Sequence, residues 1–83
     1  MLKDMELTDE IRSVMARSFA VDEDDIPEDA SQENYSRWSS LSHMVLLSSL
    51  EEQYNIRLSM KQITSMTSMS KIVDVLREYS VNR

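Results

Sequence analysis

The residues predict an all-α protein, a small four-helix bundle in which three main helices are joined by a short third helix and by a long loop between the first two. Three observations carry that expectation. Apolar residues recur at helical spacing in separate stretches of the chain. Hydroxyl side chains stand just ahead of those stretches, where a helix needs a cap. The 83 residues include no glycine, one proline and only 6% aromatics, with seven methionines, a composition that favours helix over sheet. A chain of this length makes one small domain, spanning residues 1–83.

Taken in order, Leu2 to Leu7 reads as a charged lead-in, frayed in part. Thr8 is a candidate N-cap, with Asp9 and Glu10 near the positive end of the helix dipole. Ile11, Val14, Met15 and Phe19 mark one apolar face, interrupted by Ser18, so a first helix is expected from about Met5 or Thr8 to Phe19. Val21 to Ser39 follows as a long connection, because Pro27, the Asp24-Asp25 pair and Ser31 all disfavour continuous helix. Val21, Ile26, Ala30, Tyr35 and Trp38 could tack it onto the helices. Trp38 is read as a packing anchor whose indole N–H finds a carbonyl.

The second helix is expected behind Ser39, its N-cap. Leu41, Met44, Leu47 and Leu50 follow at helical spacing, Tyr54 closes the series, and Leu46 widens the stripe beyond half the girth. A helix so apolar is either buried on two sides or keeps one strip for a partner. His43 is expected as a partly exposed residue near the helix start. Asn55 can adopt the left-handed conformation that ends a helix where glycine would normally stand. Ile56 and Leu58 alternate with polar residues in a short extended piece. From Ser59 to Ile63 the chain has room for one or two turns of a third helix, which at that length depends on tertiary packing and should be the most mobile element. Thr67 or Ser68 caps the last helix, about Ser68 to Tyr79, with Met69, Ile72, Val73, Leu76 and Tyr79 inward and Lys71 and Arg77 outward. Ser80 to Arg83 is expected to fray.

The formal net charge is −6. Residues 1–40 hold eleven acids against four bases, whereas residues 41–83 hold four against five. No basic patch exists to neutralise phosphates, so nucleic acid is not an expected partner. Basic protein partners fit the charge better. The acidic run Asp22, Glu23, Asp24, Asp25, Glu28 and Asp29 carries oxygens suited to a divalent cation, but it lacks the spacing of an EF-hand loop and reads better as a solvated charge run. There is no cysteine and only one histidine, so neither a disulfide framework nor a zinc site is expected. Without glycine there is no glycine-rich phosphate loop. No apolar run approaches the ~20 residues of a membrane span, and Met1 to Glu10 is too charged for a signal peptide. The expected location is the cytoplasm and the expected state a monomer.

The stretch Ser39-Ser40-Leu41, followed by hydrophobics and then Leu50-Glu51-Glu52-Gln53-Tyr54, resembles the second helix of the acyl carrier proteins. The resemblance runs from about Glu6 to Tyr79. In that family an Asp-Ser-Leu motif holds the serine that receives a 4′-phosphopantetheine arm. Leu41 and the downstream Leu-Glu-Glu align Ser40 with that serine. Ser39 replaces the family's aspartate, a residue able to cap the helix but without the carboxylate that helps the modifying enzyme hold magnesium.

The resemblance implies a non-enzymatic carrier. A phosphopantetheinyl transferase would attach the arm to Ser40, and an acyl group would ride on it as a thioester. Acyl-transferring or synthase enzymes of a fatty-acid, polyketide or specialised biosynthetic pathway would then use that group. It also implies a partner-binding strip of Leu41, Met44 and Ser48 with the acids Glu51 and Glu52, and a third helix that shifts as the acyl chain enters or leaves the core. Ser42 and Val45 stand where fatty-acid carriers often have acids, which points to a specialised pathway. Met44, Met60, Met66 and Met69 fall in the half that would hold the chain, and methionine adapts to irregular cavities, whether to admit a chain or simply to fill gaps in an ordinary core. Two alternatives share the fold: an unmodified carrier-like helical adaptor, and a peptidyl carrier. Catalysis by the chain itself is not expected. Ser40 and His43 share a helix face, but no acid is placed to orient the histidine, and no glycine turn exposes the serine.

Overall fold

The computed structural model describes residues 4–79, and among them lie four α-helices and no strand. They are α1 (Asp4–Phe19), α2 (Ser40–Tyr54), α3 (Met60–Ser65) and α4 (Met69–Glu78), with a 3-10 turn at Glu23–Asp25 in the long loop. The all-α bundle expected from the residues is present. Met1 to Lys3 and the fraying expected of Ser80 to Arg83 lie outside the described residues.

The core has one centre. Leu7, Ile11, Val14 and Met15 of α1, Leu46, Leu47 and Leu50 of α2, and Ile72 and Leu76 of α4 are all fully buried. α1 lies against both α2 and α4. Its start falls at the earlier of the two expected places, one residue before Met5. Thr8 is not a cap but lies one turn inside the helix, which already runs from Asp4. The reason is Leu7, which is fully buried. The spacing Leu7, Ile11, Val14 extends the apolar face back by one turn, and burial overrides the local preference of threonine for a cap. Ser18 breaks that face as expected, and its hydroxyl oxygen is buried without a hydrogen-bond partner.

Both long helices end without glycine. Ala20, after α1, takes φ 58°, and Asn55, after α2, takes φ 53°. The Asn55 N–H donates to Glu51 O, as a left-handed helix terminus requires. The starts of α2, α3 and α4 are capped by hydroxyl groups, those of Ser39, Ser59 and Ser68. Ser59 and Gln62 form a reciprocal capping box.

The loop from Ala20 to Ser39 is tied down along its length. Ile26, Ala30 and Trp38 are buried. Arg12 donates to Ile26 O at 2.6 Å, and Tyr35 donates to Asp25 at 2.9 Å. The loop also pairs with the start of α4, through Gln32 N to Thr67 O at 2.9 Å and Met69 N to Ala30 O at 3.0 Å. Among the described residues no group of three or more acids, histidines or cysteines is placed to hold a metal ion. No helix among them is long and apolar enough to cross a membrane.

Tyr54 joins α2 to α1 by donating to Glu10 at 2.6 Å. Burial, then the bond to the Glu10 carboxylate, pushes its phenol well above the usual 10.0. The unfolded phenol ionises first, so this contribution to stability is complete below pH 10.0 and is lost as the pH climbs through the range above it. Unfolding measured from pH 9 upward should therefore show a falling limb that Tyr54→Phe makes shallower. One proton sets a ceiling of about 1.4 kcal/mol per pH unit, reduced here because water reaches the ring and screens it. Tyr35 is shifted in the same direction, by burial and by Asp25, so the difference between variant and parent is the quantity to read.

Candidate functional site

Ser40 is the first residue of α2 and is exposed. Its position follows from Ser39, which is extended at φ −85° and ψ 177° and takes the Ser42 N–H on its side-chain oxygen at 3.2 Å. The carbonyl of Ser39 accepts from His43 N at 2.8 Å. The cap thus satisfies two amides of the first turn, and the amides of Ser40 and Leu41 stand at the positive end of the helix with no acceptor one turn back. No acid lies in that first turn.

The neighbours of Ser40 are apolar and outward-facing. Leu41 is 77% exposed, Met44 49% and Met60 71%, and Val45 is exposed as well. A groove of about 330 Å³ opens between α2 and α3, lined by Ser40, His43 and Met44 on one side and Met60, Ile63 and Thr64 on the other, with Gln32 from the loop. A larger depression of about 510 Å³ between α1 and α2 has a mixed lining of Arg17, Ser18, Val45, Ser49, Glu52 and Gln53. The smaller groove is the one that combines an accessible hydroxyl with an apolar lining.

The expected site residues separate into three sets. Ser40, Leu41 and Met44 come together at the head of α2. Ser48 and Glu52 are exposed further along the same helix. Glu51 is half-buried and internally engaged, accepting from Leu58 N at 2.9 Å to hold the extended piece against the end of α2. The four methionines also divide. Met66 and Met69 are buried, whereas Met44 and Met60 flank the groove.

His43 differs most from its expected place. It is 6% exposed, not a surface residue. Its Nδ1 accepts from Trp38 Nε1 at 3.0 Å, so the proton sits on Nε2, which donates to Ile63 O at 2.8 Å. Trp38 is the anchor its isolation suggested, fully buried and 5.7 Å from the Phe19 ring, but its indole N–H goes to the imidazole and not to a carbonyl. The signal was in the spacing, since His43 lies three and four residues before the core leucines Leu46 and Leu47. With both nitrogens engaged, the imidazole offers no lone pair to the Ser40 hydroxyl.

No known protein-family model and no curated protein matches this chain.

Proposed function

We propose that the chain is an acyl-carrier protein in which Ser40 takes a 4′-phosphopantetheine arm. The observation that carries this reading is the Ser40 hydroxyl itself, exposed at the first position of a capped helix and edged by an apolar groove. Each feature suits the task. An exposed hydroxyl is within reach of a separate transferase. The helix start favours the negative charge of a phosphodiester. The arm would supply the terminal thiol, absent from the chain's own residues, on which an acyl group is held as a thioester. Leu41, Met44 and Met60 surround the attachment point with apolar surface for partner enzymes, while Glu52 extends the face with one negative charge.

The test is intact mass after co-expression with a broad-specificity phosphopantetheinyl transferase and coenzyme A. The expected result is addition of one arm, abolished by Ser40→Ala. Because no acid lies in the first turn of α2, Ser39→Asp should raise the modification rate severalfold while still capping the helix. An unchanged mass, even with the transferase of the native host, would instead favour the second reading, an unmodified helical adaptor. The same missing carboxylate is the observation that favours that reading.

A further inference from the structure

α3 is held in an unusual way. None of its six residues is fully buried, and Ile63 packs against the core as a half-buried side chain. Its other ties are polar. The Tyr79 hydroxyl is shared between Arg57 O at 2.6 Å and Gln62 Oε1 at 2.7 Å, which fixes the first turn. At the other end, Ile63 O is one of the carbonyls a helix leaves without an internal partner. The amide that could have reached it, Thr67 N, goes to Ser65 O instead. His43 Nε2 takes up that carbonyl from the neighbouring helix, and Trp38 orients the imidazole from behind. His43 lines the same groove as Ser40, three residues earlier on the same face.

We infer that His43 is a latch: it limits the width of the groove beside Ser40 by holding the C-terminal end of α3, and an apolar group carried at Ser40 widens that groove between α2 and α3 only by releasing Ile63 O from the imidazole. That relevance to a carried group rests on the carrier reading, whereas the latch itself is a property of the chain alone. A released carbonyl can turn to water, and of its own side chains the six-residue helix need lift only the half-buried Ile63 from the core. Loosening α3 therefore disturbs little else. The imidazole remains on α2, so the release also alters the surroundings of the indole 3.0 Å away. Trp38 is the only tryptophan in the chain and would report the change in its emission.

The latch can be tested without any transferase, because the chain has no cysteine and Ser40→Cys supplies a single thiol for alkylation. Two adducts are compared, one from iodoacetamide and one from N-hexyl iodoacetamide, with amide hydrogen exchange and Trp38 emission as readouts. The hexyl adduct should speed exchange of Ile63 and Met66 by about tenfold, the loss expected for one hydrogen bond, and shift the emission. The small adduct should do neither. In unalkylated protein, His43→Phe should speed the same two amides by a similar factor and leave α1 and α4 unchanged. Adding the hexyl group to that background should then produce no further change.

Trp38→Phe, which keeps a ring but removes the indole N–H, provides a second variant and should give a smaller effect at the same amides. Equal exchange with the two adducts, or a His43→Phe effect spread evenly through all four helices, would overturn the latch. Failure of Ser40 to accept an arm in the mass experiment would overturn the carrier reading and leave these results standing.

Discussion

Trp38→Ala should lower stability by about 3–5 kcal/mol, the range for deleting a buried aromatic side chain. Three separate losses add up at this position. The indole is 1% exposed and fills the space between the long loop and the helices. Its ring lies 5.7 Å from that of Phe19, at 41°, so a favourable tilted pair is lost with it. Its N–H is the partner of His43 Nδ1, and the truncated protein would bury an acceptor with nothing to satisfy it. For a domain of this size the melting temperature should fall by about 15 °C or more. Since total stability is of order 5–15 kcal/mol, the variant should approach the limit of folding at 37 °C. A loss below about 1 kcal/mol by urea unfolding would mean that the loop is not anchored there.

The second large effect is a contrast along one helix. Leu46→Ala should cost about 2–5 kcal/mol, because the side chain is fully buried in the core cluster it shares with residues of α1 and α4 and would leave a cavity. Leu41→Ala, five residues earlier, should change stability by no more than about 0.5 kcal/mol, since three quarters of the residue already meets water. The same substitution at Leu41 should slow turnover by partner enzymes, because the outward strip at the head of α2 is the surface proposed to meet them. Equal losses at the two positions would show that the strip is packed in solution and would remove it as a docking surface.

Much of this architecture is legible in the residues, and the reasons are local. α4 announces itself through Ser68 and the spacing of Met69, Ile72, Val73 and Leu76, and all four side chains are buried where that spacing puts them. Asn55 signals the end of α2 because few residues other than glycine tolerate its conformation. The start of α1 is less legible. Met5 and Thr8 both offer a start, and the earlier one prevails because Leu7, at helical spacing before Ile11, has a core to enter.

The site divides in the same way. The place of Ser40 follows from a cap and a helix start, both encoded within a few residues. The groove depends on where α3 comes to rest, which Tyr79, Gln62 and His43 settle from three different parts of the chain. Residue type also misleads at His43. A lone histidine near a helix start is easily taken for a surface group, yet its spacing to Leu46 and Leu47 turns it inward and the Trp38 N–H satisfies it there. Glu51 is a related case, a charge on an outward helix whose carboxylate is claimed by the Leu58 amide.

The corner at Ala20 has a consequence for how the loop begins. An alanine at φ 58° bears strain of roughly 1 kcal/mol that glycine would avoid. It also gives the unfolded chain fewer shapes to abandon than glycine would, which offsets part of that strain. What holds the turn against the remainder is the Val21 N–H, which donates to Ala16 O at 3.0 Å. The acidic segment beyond it therefore sets out from α1 along a single heading.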